Sequence, residues 1–321
     1  MPGRIPKVVV VGPAYVDMAI KCSEVPPPGQ TVEGSGFECT PTGPGPNRVI
    51  EAALCGCETY LLSKVGNDLF GQMVKDKLAE YNVNTDFVYT AQAKSTGIIV
   101  TMVDSIGENS SCLSAGANRA LSADEVACAS AEQLISSADV CLIHADLPGE
   151  VVTTAISTAN LYKTKVILET KLTTPDGDKP FEADWPLEYY SVNILIPDFG
   201  KCASALELGA GTGHKLKLLA SGLVAGGIEC VVINMGARGV FVVDKEATAQ
   251  IRGFELDIID HNASADAFAG ALAASVGAGD EPKDAVRFAA AAAALASSRF
   301  GSLDALPSKE DIIELLQNQT D

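Results

Sequence analysis

Short runs of β-branched and other apolar residues recur along the chain and predict strands that are buried on both faces. They occupy residues 7–12, 59–64, 140–143, 165–168, 193–196 and 230–233. Such continuous runs are typical of parallel strands covered by helices on both sides. Segments with helical spacing of apolar residues alternate with them, at 47–55, 70–81, 122–136 and 216–225. This alternation predicts an α/β fold whose mostly parallel sheet lies between layers of helices.

Two segments interrupt this pattern. Residues 30–39 and 96–103 alternate between apolar and polar side chains, as half-buried strands do, and turn-forming residues flank them. We expect a single domain over residues 1–321, in which a small β-sheet is inserted at about 13–43 and 93–118. A small sheet near the carboxyl ends of the parallel strands would form a lid over a ligand crevice.

Residues 260–266 (DHNASAD) lead into a run of small apolar residues and are the most informative segment for function. Small residues open a predicted helix here, and the free N–H groups and dipole of a helix start bind anions. Asp266 falls in the first turn, where a carboxylate could act as the general base of a phosphoryl transfer. The same pattern also fits an ordinary helix start, in which Asp266 only complements the dipole.

Composition narrows the classes of ligand. The 321 residues are 47% hydrophobic, enough for a large core, and the net charge of −18 argues against nucleic acid or an anionic membrane as a partner. No run of 18 apolar residues and no secretory pattern is present, so we expect a cytoplasmic protein that binds a small molecule. The nine cysteines are scattered, mostly in apolar segments, which indicates free thiols rather than disulfides or a zinc site.

Five motifs occur in the order of the ribokinase (PfkB) family of carbohydrate and nucleoside kinases, which the chain resembles from about residue 6 to about residue 315. They are residues 12–17 (GPAYVD), 42–47 (TGPGPN), 66–71 (GNDLFG), 234–239 (NMGARG) and 260–266. The resemblance implies a ribokinase-like three-layer α/β/α fold with a small β-sheet lid. It also implies a carbohydrate kinase that transfers the γ-phosphate of ATP to a hydroxymethyl group of a sugar or sugar-like polyol.

The resemblance assigns roles to particular residues. Asp266 is the implied base, and the backbone amides of residues 263–266, including Ala263, Ser264 and Ala265, form the implied anion hole. Asp17, at the end of the first strand, would bind the acceptor together with Tyr15, Gly43 and Asn47. Apart from the resemblance, Asp146 falls near another strand end, where it could reach the same crevice or equally cap the helix that begins near Pro148. The nucleotide side would comprise Asp198, Lys201, Asn234, Gly236 and Gly239. Mg²⁺ would accompany ATP, Asp260 would contribute to a K⁺ site, and the lid edges would support a homodimer.

Several positions depart from the family pattern. Pro44 and Pro46 fix φ in a loop that is expected to flex, and Tyr15 stands where ribokinases have Asn. Ala263, Ser264 and Ala265 replace Gly-Ala-Gly before the implied base. Lys201 replaces the Glu of an Asn-x-x-Glu motif, which inverts the charge near Mg²⁺.

These departures leave two alternatives to an active sugar kinase. One is a catalytically weakened homologue that acts as a small-molecule binding or sensor protein, and the other is a nucleoside kinase. A Rossmann dehydrogenase is disfavoured because no G-x-G-x-x-G follows the first strand, where Gly12, Pro13 and Ala14 stand.

Overall fold

The computed structural model describes residues 4–172, 185–198 and 212–319. Strands over these residues are β1 (Lys7–Val11), β2 (Tyr15–Cys22), β3 (Gly34–Thr42), β4 (Glu58–Gly66), β5 (Val88–Ala91), β6 (Gly97–Val103), β7 (Asn109–Ser114), β8 (Val140–His144), β9 (Lys165–Lys171), β10 (Ile194–Asp198), β11 (Cys230–Asn234), β12 (Val240–Asp244) and β13 (Thr248–Ile251). Helices are α1 (Pro44–Leu54), α2 (Leu69–Glu80), α3 (Ala123–Val126), α4 (Ala129–Ser137), α5 (Gly149–Tyr162), α6 (Thr212–Ala225), α7 (Ser264–Ala278), α8 (Pro282–Ser297) and α9 (Lys309–Asn318).

The central sheet has nine strands in the order β13-β12-β11-β10-β9-β8-β1-β4-β5. The pairs from β5 to β11 are parallel, and β12 and β13 add an antiparallel edge. The apolar runs form the middle of this sheet because helices cover both of its faces, so that only end residues such as Lys165 and Lys171 of β9 are exposed. The predicted α/β architecture is therefore confirmed.

Each face of the sheet has its own apolar core. Val8 and Val10 of β1 face a core that includes side chains of α1, α2, α7, α8 and α9. Val9 and Val11 point the other way, towards α3, α4, α5 and α6. No helix in the described part of the chain is both long and apolar enough to cross a bilayer.

A second sheet lies beside the first, with the order β3-β2-β6-β7. Residues 96–103 match β6 (Gly97–Val103), whereas the other alternating segment is strand only from Gly34 onwards. The apolar pattern does not predict β7, because its six residues are all exposed and mostly polar. Asp17 was expected at the end of the first strand, but it lies inside β2, because β1 already ends at Val11. We call this four-stranded sheet the lid.

The helix predicted over 122–136 is divided in the structure. The hydroxyl of Ser122 caps α3 in a capping box with Glu125, and α3 ends after one turn. Cys128 then adopts an extended conformation before α4 begins. The break therefore lies at Ala127 and Cys128, where the backbone leaves the helical conformation although the apolar residues keep helical spacing on both sides.

Pro44 and Pro46 lie in the first turn of α1 rather than in a flexible loop. The residue that caps the helix is Gly43, whose φ of 111° is a left-handed value that favours glycine. Proline is well suited to a first helical turn, because its fixed φ is already helical and the N–H it lacks would have no partner there. The two prolines therefore stabilise the start of α1, which carries Asn47.

Helices α1 and α7 approach closely at Gly270. A Cβ at this position would lie 2.6 Å from the carbonyl oxygen of Arg48 and 2.6 Å from the Cβ of Glu51. Only hydrogen fits there, so the backbones pack nearly in contact. This packing sets the distance between the N-terminal turns of the two helices.

We predict that Gly270→Ala lowers the free energy of unfolding by about 1 to 3 kcal/mol, because the methyl group forces α1 and α7 apart. Urea unfolding followed by circular dichroism measures the change. Gly222→Ala in α6 is the matched control, since a Cβ there meets nothing within 4 Å. It should be neutral or stabilise by up to about 1 kcal/mol. Equal stability of the two variants would refute the close packing.

Candidate active site

The implied base and several charged and polar side chains converge at the carboxyl edge of the central sheet. Asp266 lies in the first turn of α7, and Asn47 and Arg48 lie in the first turns of α1. Glu169 is near the end of β9, and His144 is the last residue of β8. Because parallel strands end at one edge, residues far apart in sequence meet there.

Both carboxylate oxygens of Asp266 accept hydrogen bonds from α1. Asn47 Nδ2 donates to Oδ2 at 2.7 Å, and Arg48 Nε donates to Oδ1 at 2.9 Å. Asn47 Nδ2 also donates to the hydroxyl of Ser302 at 3.1 Å, and that hydroxyl lies 3.1 Å from Thr42 Oγ1. The side chain of Asp266 retains 13% exposure. Two of its roughly four lone-pair sites stay available to a substrate hydroxyl.

Arg48 connects Asp266 to a second carboxylate. Its Nη2 donates to Glu169 Oε1 at 2.7 Å, and the side-chain exposures of Arg48 and Glu169 are 2% and 8%. Burial raises the pKa of Glu169, and the positive charge of Arg48 opposes that rise. The two carboxylates and one guanidinium form a buried network that we call the Arg48 bridge.

His144 lies against this bridge as a neutral imidazole. Its Nε2 is 3.6 Å from Glu169 Oε1, close enough to form an ion pair if the ring were protonated. Burial and the nearby cations Arg48 and Lys171 hold its pKa well below the usual range, so the ring is uncharged at neutral pH. Its Nδ1 accepts the backbone N–H of Asp146 at 3.2 Å, which places the ring proton on Nε2.

On the lid, Asp17 and Tyr15 are alternate residues of β2 and share one face of that strand. Thr101 of β6 donates its hydroxyl to Asp17 Oδ1 at 2.8 Å, which leaves the other oxygen for a ligand. Tyr15 is buried, and burial, followed by the charge of Asp146, raises its pKa. It is therefore a neutral phenol at the base of the lid.

Asp146 was predicted either to contact the acceptor or to cap the next helix. Its carboxylate instead accepts two hydrogen bonds from Lys171 Nζ, at 3.0 and 2.8 Å. The cap residue before α5 is Pro148. Asp146 is half-exposed and influences Tyr15 electrostatically, so it remains beside the predicted acceptor position.

The start of α7 fits an anion hole in part. Ala263, the cap residue, makes no capping hydrogen bond through its side chain and has φ −93°, which any residue adopts. Replacement of glycine by alanine therefore causes no backbone strain here. The Ser264 N–H donates to the carbonyl of His261 at 3.3 Å, a long bond, whereas the amides of Ala265 and Asp266 fall in the first helical turn and have no acceptor within α7.

A small cleft of about 70 Å³, partly open to solvent, lies next to this helix start. It is lined by Asn234 at the end of β11, by Gly236, by Phe254 and Ser264, and by small alanines of α8. Asn234 Oδ1 accepts the N–H of Gly236 at 2.9 Å and holds this loop in shape. The mixture of flat apolar walls and a few polar groups suits a nucleobase.

Two other predicted nucleotide residues, Gly239 and Asp198, do not line this cleft. Gly239 is outside the lining of this cleft, and its φ is 92°, with a Cβ there only 2.0 Å from the carbonyl of Ile251. It permits β12 and β13 to pair closely. Asp198 ends β10 beside Lys171 of β9, and Lys201 lies outside the described residues.

Asp260 stabilises a turn. Its Oδ1 accepts the N–H of Asn262 at 3.0 Å, and its Oδ2 accepts the N–H of Gly301 at 3.2 Å. Both oxygens of Asp260 are thus bonded to backbone N–H groups. A K⁺ ion near this turn would need backbone carbonyl oxygens as ligands, and Asp260 would contribute negative charge. Among the residues that the structure describes, no group of three or more His, Cys, Asp and Glu side chains could hold a metal ion. The described side chains therefore supply no Mg²⁺ cage.

Sequence reasoning did not identify Arg48, Ser302, Thr101 or His144 as parts of the site. Arg48 carried a usable signal, because it lies among apolar residues in a helix that must pack on the sheet. Glu169 carried another, as a charge within the buried run of β9. Two opposite charges in buried segments predict a mutual contact. Ser302 and Thr101 carried no such signal.

Comparison with known proteins gives a consistent family. The profile of the pfkB family of carbohydrate kinases matches residues 5–309. A ribokinase of Haemophilus influenzae is 27% identical over 309 residues, which cover 96% of this chain and 98% of that protein. The structure of Arabidopsis thaliana ribokinase complexed with ribose and ATP has a TM-score of 0.85 at 23% identity, with coverage of 98% and 99%. A nucleoside kinase of Methanocaldococcus jannaschii has a TM-score of 0.75 at 15% identity, with coverage of 99% and 100%.

The neutral state of His144 predicts a pH dependence of stability. Its folded pKa lies below the unfolded value of about 6.5, so the unfolded chain binds the extra proton first and stability falls as pH drops below about 6.5. We predict that the wild type loses about 1 kcal/mol more than His144→Asn between pH 7 and 5.5. Asn keeps an acceptor for the Asp146 N–H and cannot be protonated.

Urea unfolding of both proteins at the two pH values measures this difference. The comparison cancels the opposite contribution of Glu169, whose raised pKa favours the folded state on acidification. Identical pH dependence of the two proteins would show that folding does not lower the pKa of His144.

Proposed function

The chain belongs to the pfkB family of carbohydrate kinases, and we propose that it is an ATP-dependent sugar kinase. It transfers the γ-phosphate of ATP to a hydroxymethyl group of a sugar or sugar-like polyol. The observation that carries this proposal is the carboxylate of Asp266, held by two donors from α1 at the start of α7. A base in a fixed orientation next to backbone amides supplies the positioning that phosphoryl transfer needs.

In this proposal Asp266 accepts the proton of the acceptor hydroxyl as its oxygen attacks the γ-phosphorus. The amides of Ala265 and Asp266 then stabilise negative charge that develops on the transferred group, with Ser264 joining once its long bond to His261 breaks. The helix dipole of α7 adds to this stabilisation. All of these groups are preorganised by the packing of α1 on α7.

The free oxygen of Asp17 binds acceptor hydroxyls, and Asn47, whose Nδ2 is already bonded to Asp266 and Ser302, offers its Oδ1, which has no partner among the described residues. A carboxylate from the lid and an amide oxygen from α1 select a ligand that carries several hydroxyl groups. Tyr15 presents an aromatic ring at the position where ribokinases have the amide of Asn. The site therefore offers the acceptor fewer hydrogen-bonding groups at this position. These features favour a sugar; a nucleoside is the second candidate, favoured by the apolar side of Tyr15 and the fold shared with a nucleoside kinase.

ATP occupies the cleft near Asn234 and Gly236, and Asp198 and Lys201 lie towards its phosphates in this proposal. Mg²⁺ would accompany ATP and would be held mainly by phosphates and waters, since the described side chains form no cage for it. K⁺ near Asp260, a homodimer through the lid and a cytoplasmic location complete the proposal. The unpaired thiols among the described cysteines agree with a reducing compartment.

We predict that Asp266→Asn lowers kcat by about 10²- to 10⁴-fold, because an amide cannot accept the hydroxyl proton. ADP release in the presence of a sugar panel measures kcat. Asp284→Asn is the matched control, since Asp284 is an acidic residue in the first turn of a helix, like Asp266, but is exposed and lies outside the site. Its kcat should equal that of the wild type.

Calorimetry with ATP and Mg²⁺ separates loss of the base from loss of the function. Asp266→Asn should still bind nucleotide, since its carboxylate lies on the acceptor side. Unchanged turnover in Asp266→Asn would remove this residue as the base. Absence of nucleotide binding to the wild type at millimolar ATP would instead support the non-catalytic binding protein.

Replacement of Asp17 tests the acceptor side. Asp17→Asn should raise KM for the acceptor about tenfold or more, because an amide offers fewer acceptor sites to the hydroxyls. KM for ATP and kcat should stay near wild-type values. Glu38→Gln, at an exposed position on β3 of the same lid, is the control and should leave both constants unchanged. An unchanged acceptor KM in Asp17→Asn would place the sugar elsewhere.

A further inference from the structure

We propose that Arg48 is a positioning residue of the transfer reaction: it orients Asp266 through one side of its guanidinium, and Glu169 on the other side restores the basicity that Arg48 alone would remove. This inference rests on the proposed function, in which Asp266 is the base. The Arg48 bridge thus acts as one unit, built from α1, α7 and β9.

The geometry gives Arg48 control over the orientation of the carboxylate. Its Nε contacts Asp266 Oδ1 at 2.9 Å while its Nη2 contacts Glu169 Oε1 at 2.7 Å. Since the guanidinium is planar and rigid, these two contacts fix the plane in which Oδ1 lies. Asn47 Nδ2 fixes the other oxygen at 2.7 Å. The carboxylate cannot rotate, so the lone pairs it keeps for the acceptor hydroxyl point in a constant direction.

The charges of the bridge explain the need for Glu169. A guanidinium in direct contact with a carboxylate stabilises its ionised form and weakens it as a base. Glu169 adds a second negative charge on the far side of Arg48, so the bridge carries a net charge of about −1 rather than 0. The alternative is that the Arg48 bridge has only a structural role and joins β9 to α1 and α7.

Other charged groups face the bridge and belong to the same balance. Asp198 of β10 raises the pKa of Glu169, as Asp266 does, while Arg48 lowers it. Lys171 lowers the pKa of His144, which stays neutral beside Glu169. Because these neighbours are unchanged in a substitution at Arg48 or Glu169, differences between variants report the bridge itself.

The energetics do not favour a purely structural bridge. A buried ion-pair network is often no more stabilising than apolar residues of similar size. In addition, Arg48 Nη1 and Asn47 Oδ1 are buried and have no hydrogen-bond partner among the described residues. Unpaired polar atoms on the two residues that hold Asp266 are costly for packing alone. A role in the reaction accounts for their retention.

The test is the pH profile of kcat for the wild type, Arg48→Gln, Glu169→Gln and the double variant. In Arg48→Gln the two carboxylates of the bridge lack their cation. The acid limb of the kcat profile should therefore move up by about 1 pH unit, and kcat at neutral pH should fall about 10- to 100-fold.

In Glu169→Gln the acid limb of the kcat profile should move down. The maximal kcat should fall about tenfold, because Asp266 becomes a weaker base. The double variant should lie closer to the wild type than Arg48→Gln does.

Controls keep the outcome decisive. Lys7→Gln breaks an ion pair at the opposite end of β1 and should leave the profile unchanged. If Arg48→Gln does not fold, Arg48→Lys takes its place: an ammonium cannot contact both carboxylates in the same way, so kcat should fall while acceptor KM changes little.

Profiles of Glu169→Gln and the foldable Arg48 variant that superimpose on the wild type would overturn the inference. That result, combined with inactivity of Asp266→Asn, would leave the proposed function intact. If Asp266→Asn itself turned over normally, the proposed role of the base would fail instead, and the bridge would be structural.

Discussion

The close packing of α1 against α7 is the constraint on which the site depends. A single hydrogen at Gly270 allows the backbone of one helix to approach the carbonyl of Arg48 on the other. At this separation the short side chain of Asn47 and the Nε of Arg48 both contact Asp266. A larger residue at 270 would separate the donors from the carboxylate, so a packing contact inside the core determines the geometry of the reacting groups.

Much of the fold follows from local pattern. The uninterrupted apolar runs identify the central strands because helices cover the interior of those strands on both faces, and the motifs of residues 42–47 and 260–266 identify the two helix starts. The pattern fails at two places. Strand β7 is wholly exposed, and the helix predicted over 122–136 breaks where Cys128 adopts an extended conformation.

The sequence predicts those parts of the site in which one residue carries the chemistry by itself. Asp266 and Asn47 could be named because each lies close to a helix start, carries a suitable group and stands in a motif that resembles the family's. Their contact with one another, and with Arg48, joins residues more than 200 positions apart and needs the tertiary structure. Departures at residues 263–265 look disruptive in sequence, yet Ala263 has an ordinary φ, so the backbone geometry tolerates them.

Transfer to a hydroxymethyl group is the central claim, and proton-coupled ³¹P NMR of the reaction mixture tests it most directly. The full chain would be incubated with ATP, Mg²⁺, K⁺ and a panel of sugars, polyols and nucleosides. The account predicts a new phosphomonoester resonance split into a triplet by two CH₂ protons, together with an equal amount of ADP, in the presence of a sugar. ADP with inorganic phosphate alone, or a doublet from a secondary hydroxyl, would contradict it.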